Sequence, residues 1–341
     1  HVREFFHRVE TGQGWASVSD FCVPGATFRS QVEPLNNSSR VIADLAEYVS
    51  WAEKSNSALP GCGYELHFAA RDESAAIRAA IGGGDALAPA ALYTFHATFR
   101  GVHSKKVGKQ EPTGETLASH YIYFFHLAAS GLIQSLTKVW NGVWAGRQLR
   151  TVPGAPPAPP PTVRPPPGAV SGEGQAVSRA PAMLWIQLWT AAQSFFAACE
   201  GGQGWRSCEA LCAEGATFDS QSDLLAGVKT VEGYSEWMRR LKQAMGDMVQ
   251  ETHFGGVDTE RGTACFVATL SGTHSAAPAP VAGGGGATGR ACGSHRGLCL
   301  HFDSEDRICH VVLVWNAPWA MRQLGWPEDG AAEPEAPPPR L

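Results

Sequence analysis

The sequence predicts an α+β protein built as two copies of one body, each with helices in front and an antiparallel sheet behind. Three observations predict it: an internal repeat covering most of the 341 residues, helical spacing in the front third of each repeat, and strand alternation in the rest.

The repeat sets the organisation. F-F-H-R-V-E-T-G-Q-G-W returns as F-F-A-A-C-E-G-G-Q-G-W, placing Phe5 over Phe195 and Trp15 over Trp205, and G-A-T-F-R-S-Q returns as G-A-T-F-D-S-Q. Tyr48 and Trp51 then match Tyr234 and Trp237, and His67 matches His253. Further on His103 falls on His274, Thr113-Gly114 on Thr288-Gly289, His120 on His295, His126 on His301, and V-W-N-G-V-W on V-W-N-A-P-W. Eight of the eleven Trp and eight of the twelve His are paired in this way, which excludes chance. The repeat divides the chain into a first domain at 1–150, a linker at 151–181, a second domain at 182–327 and a tail at 328–341. Linker and tail are proline-rich, a composition that favours extended polyproline II in the one and disorder in the other.

Within each copy the front reads helical: Phe5, Phe6 and Val9 share a stripe, and a second short helix is expected after Trp15. The second copy adds Trp185, Leu188, Trp189 and Ala192 at helical spacing. The first lacks this lead-in, so its opening helix is expected to be cut short. Behind them His120, Ile122, Phe124 and His126 alternate with Tyr121, Tyr123 and Phe125, and Thr137, Val139 and Asn141 with Leu136, Lys138 and Trp140.

Composition narrows the function classes. A chain 44% hydrophobic and 17% charged buries real cores. A net charge of −5, with Lys105, Lys106 and Lys109 as the only short basic cluster, argues against a nucleic-acid partner. The longest apolar run, Met183 to Trp189, is far short of the ~20 residues of a membrane span. The chain reads as soluble and intracellular, in the cytoplasm or an organelle lumen, and its start at His1 without Met leads us to expect a missing upstream targeting segment. Nine cysteines, split two and seven, form no disulfide framework and suggest a reducing compartment. Cys208 and Cys212 lie four apart on a predicted helix, but no His or Cys pair completes a zinc set, so no metal is expected. The glycine run 283–286 lacks the Lys-Ser/Thr of a phosphate loop and reads as a flexible connection, and no cofactor is expected.

The elements G-T-H-S at 272–275, T-G-R at 288–290 and R-Q-L-G at 322–325, with their counterparts in the first copy, resemble the SnoaL-like polyketide cyclases of the nuclear transport factor 2-like superfamily. That resemblance implies a cone, a strongly curved antiparallel sheet wrapped on helices around an apolar pocket. It also implies pairing through sheet faces, either between the two domains of one chain or in a homo-oligomer. In the cyclases an acidic residue seven positions before the Gln of Q-L-G acts as general acid and base. Here Asn141 and Asn316 hold that place, and a carboxamide exchanges no proton near pH 7.

Imidazole is the natural substitute. His103 and His274 are therefore candidate catalytic groups, with hydrogen-bonded structural histidines as the other reading. Candidate ligand contacts are Asn141, Asn316, Gln31, Gln221, His120, His126, His295, His301, Trp144 and Trp319. If the Asn residues face the pocket, Trp140 and Trp315 face away from it. Three functions follow: a protein binding a small apolar or polyketide-like molecule, a cyclase, isomerase or dehydratase using His, or an assembly protein working through its sheet faces.

Overall fold

A computed structural model describes residues 1–31, 42–72, 91–106, 110–151, 181–277, 279–281 and 286–327. The linker between 151 and 181, the tail from 328, Lys109 and residues 283–285 of the glycine run lie outside the described residues. The chain divides into two compact units, His1–Pro161 and Thr162–Leu341.

In the first unit α1 (Val2–Glu10) is followed by two 3-10 turns (Trp15–Ser17 and Ser19–Phe21), β1 (Cys22–Ser30), α2 (Leu45–Ala58), β2 (Gly63–Arg71), β3 (Ala91–Val102), β4 (Thr116–Leu127), β5 (Ile133–Trp140) and α3 (Gly142–Gln148). The second unit repeats the order: α4 (Pro181–Glu200), two 3-10 turns (Trp205–Ser207 and Glu209–Leu211), β6 (Cys212–Ser220), α5 (Val231–Ala244), β7 (Val249–Asp258), β8 (Thr263–Thr273), β9 (Ala291–Phe302), β10 (Ile308–Trp315) and α6 (Ala317–Leu324). The short helix expected after Trp15 is thus a pair of 3-10 turns. In the second unit Cys208 joins these turns and Cys212 opens β6, so the two thiols do not share an α-helix.

Each sheet has five strands, ordered β1-β5-β4-β3-β2 and β6-β10-β9-β8-β7. Three pairings in each are antiparallel, but β1 runs parallel to β5, with Phe28 opposite Leu136, and β6 parallel to β10. The sheets are therefore mixed rather than purely antiparallel. Side-chain alternation reports which face a residue occupies and carries no record of strand direction, which here is set by the return of the chain through the helical layer. The register shifts at the same place in both units, at His67 in β2 and His253 in β7. Such bulges bend a strand and strengthen its twist.

Local chemistry accounts for the helix ends. Asp44 accepts from the Glu47 amide (3.0 Å) and Thr230 from the Gly233 amide (3.0 Å), capping α2 and α5. The C-terminal helices begin on Asn141 and Asn316, whose Oδ1 atoms accept from the amides of Trp144 (3.0 Å) and Trp319 (3.3 Å). The Gln of Q-L-G then fastens each of these helices to its sheet. Gln148 exchanges two hydrogen bonds with the backbone of Ala118 and Gln323 two with that of Gly293.

The two cores are alike at their centres. Phe28 stacks on Tyr48 at 3.9 Å in the first unit and Phe218 on Tyr234 at 4.3 Å in the second. Tyr121, Tyr123 and Phe125 point to the helices, where Phe6 and Phe5 meet them.

Candidate functional site

In the first unit the space between α1, α2, α3 and the inner face of the sheet is a cavity of 710 Å³. That is the size of a small-molecule site, typically ~300–1,000 Å³. Helical residues Val9, Ala52 and Ser55, sheet residues Phe99, Leu117 and Trp140, and Gly146 and Thr151 at the C-terminal end form its walls, and polar groups gather on one side.

That polar side is organised around α1's last residue. Glu10 is buried, and its two carboxylate oxygens accept from the hydroxyls of Tyr123 (2.6 Å) and Tyr121 (2.7 Å). The Tyr123 oxygen bonds in turn to the Tyr48 hydroxyl, and Lys138 donates from Nζ to Tyr48 at 3.2 Å. Because the Tyr123 proton is committed to Glu10, Tyr48 donates to Tyr123. The four groups form a chain of donors running from Lys138 to Glu10.

Lys138 is enclosed by rings. Nζ lies 4.5 Å from the Trp140 centroid, 5.0 Å from Tyr121, 5.4 Å from Tyr123, 5.6 Å from Tyr48 and 5.9 Å from Trp51. Cation–π attraction offsets part of the lost hydration of the ammonium. Desolvation nevertheless dominates and lowers its pKa from 10.5 to about 8, with the negative charge of Glu10 pulling the other way. Burial, reinforced by Glu10, pushes the phenols of Tyr121 and Tyr123 well above their ordinary value. Tyr48 moves the same way for the same reasons, its bond to Tyr123 opposing. All three remain protonated donors.

At the positions aligned with the cavity walls the second unit carries larger side chains. Ala52, Ser55, Lys138, Gly146 and Thr151 correspond to Met238, Leu241, Leu313, Met321 and Trp326, all of them buried. Tyr121 corresponds to Arg296, which forms a fully buried ion pair with Glu200, the counterpart of Glu10. Tyr234 donates to Glu200 at 2.6 Å and accepts from Arg296 at 3.0 Å, while Gln250 donates to Glu200 at 3.0 Å. Burial draws the Arg296 guanidinium down to about 9. Trp51 is 38% exposed, whereas its counterpart Trp237 is 0% exposed and donates to the Pro280 carbonyl at 3.2 Å.

Of the residues singled out from sequence, His103 lines the cavity. Its Nδ1 lies 3.1 Å from Thr113 Oγ1 and accepts from the Thr113 amide at 3.3 Å. His274 repeats this with Thr288 (3.2 and 3.3 Å) and also accepts from Trp326 Nε1 at 3.1 Å.

Asn141, Gln31, His120, His126 and Trp144 do not line the cavity. The expected orientation of the Trp residues is reversed: Trp140 lines the cavity, and Trp315 packs in the second core on Trp237. Leu136, Lys138 and Trp140 share the inward face of β5 by alternation, so Asn141, one residue on, falls off that face and caps α3. In the second unit Asn316 caps in the same way, and Trp319 donates to the Gly293 carbonyl at 3.3 Å.

His120 and His295 sit on the outer sheet face in matching triads. His67 Nε2, Thr98 Oγ1 and His120 Nδ1 are linked at 2.7 Å each. His253, Thr269 and His295 are linked at 2.6 and 2.9 Å. His126 lies edge-on to Phe124, His301 next to His310, and Gln221 is buried at the end of β6. Among the described residues no group of three His, Cys, Asp or Glu is arranged to hold a metal, and no helix is long and apolar enough to cross a membrane.

Glu10, Tyr48, Tyr121, Tyr123 and Lys138 were not singled out as site residues from the sequence. The repeat nevertheless carries their signal. Lys138 against Leu313, and Tyr121 against Arg296, are the aligned inward positions at which the copies differ in charge.

No protein-family description matches the chain, and no curated protein does. Solved structures similar to it include a candidate SnoaL-like polyketide cyclase from Jannaschia sp. CCS1, with 14% identity over 45% of this chain and 99% of that one and a TM-score of 0.36. IdmH, a candidate polyketide cyclase from Streptomyces antibioticus, has 16% identity over 41% of this chain and 99% of that one, with a TM-score of 0.34. A protein of ketosteroid isomerase-like fold from Catenulispora acidiphila has 14% identity over 41% and 95%, with a TM-score of 0.31. Each unit of this chain is an α+β body with a five-stranded mixed sheet and helices, and the same order of elements occurs twice.

Proposed function

We propose that the first unit binds a small, largely apolar, ring-bearing molecule of polyketide-like size, and that the second unit has given up the equivalent space to its own side chains. The observation that carries this reading is the 710 Å³ cavity in one unit set against the buried Met238, Leu241, Met321 and Trp326 in the other. Ring walls supply apolar area and stacking geometry, worth about 0.5–1.5 kcal/mol per aromatic contact beyond burial. Lys138, the tyrosine hydroxyls and Glu10 offer both donors and acceptors to the ligand's polar groups.

The test uses the full chain and 2-naphthol. Trp51 and Trp140 line the cavity, so binding is expected to change tryptophan fluorescence saturably, and the change is expected to disappear in a Trp51→Phe, Trp140→Phe double variant. Thr151→Trp combined with Gly146→Met copies the second unit's filling and is expected to weaken binding at least tenfold. Unchanged affinity in that variant overturns the assignment of the site.

An enzymatic reading, a cyclase or isomerase using histidine, is favoured by one placement, His103 on the cavity wall. It requires turnover of polyketide-like substrates to fall about a hundredfold in His103→Ala and to survive His274→Ala. An assembly protein would show neither turnover nor saturable binding, and its outer sheet faces would then carry the function.

A further inference from the structure

We infer that Lys138 captures carbonyl compounds: the cavity's ligand is an aldehyde or ketone that forms an imine with the Lys138 amine. The inference rests on the reading of the cavity as a ligand site and specifies the ligand's reactive group.

Three features of the geometry carry it. Lys138 lines the cavity, so its side chain borders whatever the cavity holds. No carboxylate lies within 4 Å of it among the ion pairs of the described residues, and its hydrogen bond goes to a neutral phenol, Tyr48 at 3.2 Å. An amine held this way is not locked as the cation of a salt bridge. The third feature is the donor chain from Lys138 through Tyr48 and Tyr123 to Glu10. It connects the amine to a buried carboxylate that can store its proton, while the ring cage tolerates the cation at the start and the protonated imine at the end. A lysine serving only to close the core would need none of this, and the second unit closes the same position with Leu313. The lowering of the ammonium pKa to about 8 is consistent with this role.

The step balances without any oxidant or reductant. The ammonium passes one proton along the chain to Glu10, each hydroxyl handing on its own proton as it accepts another. The amine lone pair forms a C–N bond to the carbonyl carbon, and a nitrogen-bound proton moves to the carbonyl oxygen, giving a carbinolamine. Its C–O bond then breaks, the hydroxyl leaving as water with the proton returned from Glu10. A protonated imine remains on Lys138. In this scheme Lys138 touches the reacting atoms and is the catalytic residue, whereas Tyr48, Tyr123 and Glu10 move its protons.

The experiment incubates the full chain with 2-naphthaldehyde and sodium cyanoborohydride and maps the reduced adduct by peptide mass spectrometry. One adduct at Lys138, formed at least tenfold faster than at the other lysines, is expected. Lys138→Arg is expected to abolish that adduct, and a far-ultraviolet circular dichroism spectrum matching the parent's shows that the variant is folded. Tyr48→Phe is expected to slow trapping about tenfold or more without removing it, as loss of a proton-transfer partner does. Saturable 2-naphthol binding together with an unmodified Lys138, or one labelled no faster than Lys54 and Lys242, overturns the imine and leaves the binding reading standing. Failure of 2-naphthol and 2-naphthaldehyde alike to bind overturns both.

Discussion

The first and second units share topology, helix caps and central stacking, yet they solve one problem in opposite ways. Each carries a buried glutamate at the end of its first helix, facing the sheet. The second unit neutralises Glu200 with Arg296 and packs methionine, leucine and tryptophan around the pair. The first distributes the charge of Glu10 over two tyrosine hydroxyls, sets the cation two hydroxyls away at Lys138, and leaves space beside it. The comparison sets a cavity in one unit against larger buried residues at the aligned positions of the other: Met238, Leu241, Leu313, Met321 and Trp326, with Arg296 in place of Tyr121. It also marks the unfilled copy as the one to test for ligands.

The sharpest way to break this comparison is to remove the carboxylate from each unit. Glu200→Gln leaves the Arg296 guanidinium buried without its counter-charge and is expected to cost about 3–5 kcal/mol. Glu10→Gln removes a charge but keeps an acceptor for the tyrosines, and is expected to cost about 1–3 kcal/mol. Urea denaturation followed by hydrogen exchange resolved by unit measures both. Equal losses would show that the two glutamates are equivalent after all.

Next in size is the exchange at the C-terminal end of each body. Trp326→Thr gives the second unit the first unit's residue and deletes a ring 5% exposed. A loss of about 3–4 kcal/mol is expected from removing so large a buried side chain. The variant is also expected to gain 2-naphthol binding in the second unit, read by protection of its amides. If the loss falls below about 1 kcal/mol, Trp326 is not a filling residue and the contrast with Thr151 fails.

Lys138→Met is expected to stabilise the first unit at pH 7. The lysine titrates at about 8 when folded and near the ordinary 10.5 when unfolded, so between these pH values the unfolded chain holds more protons. Its contribution to stability is therefore least favourable below pH 8, improves as pH rises through the window, and levels off above it. The gap corresponds to at most about 3 kcal/mol, reduced by partial exposure and by the ring contacts that Met does not reproduce. The gain of the variant over the parent is expected to shrink between pH 8 and 10.5. A constant gain would mean that Lys138 is not desolvated.

Much of this was legible in the sequence because the repeat is an alignment of the chain with itself. Two copies, helices before strands, and the alternation of Tyr121 and Tyr123 with His120 and Ile122 all follow from spacing. Strand direction did not follow, since the parallel neighbour of β5 is β1, which lies more than a hundred residues earlier in the chain. The pocket-facing side of β5 was misread by placing Asn141 inward, whereas alternation puts Lys138 and Trp140 inward and Asn141 caps the helix that follows. Lys138 stood in plain view on the face shared with Leu136 and Trp140, but a single lysine in a strand has the appearance of a solvated residue. Only the helices, brought over that face by tertiary packing, make it a half-buried one lining a cavity.

The smallest expected difference concerns the histidines that recur in both units. His103 and His274 each accept from the amide of the threonine in the following T-G, tying the end of a long strand to the next loop. In both, Nδ1 is the acceptor, which places the ring proton on Nε2. His274 has one further partner, Trp326 Nε1 at 3.1 Å, so His274→Ala leaves both a backbone amide and a buried indole N–H unsatisfied, whereas His103→Ala leaves the amide. An unmet buried donor costs about 1–3 kcal/mol, so His274→Ala is expected to be more destabilising than His103→Ala by about 1 kcal/mol. Combining His274→Ala with Trp326→Phe, which deletes the indole donor while keeping a ring, is expected to recover that difference. If the histidine variants are equally destabilising, the indole contributes nothing through this bond, and Trp326 closes the second unit by volume alone.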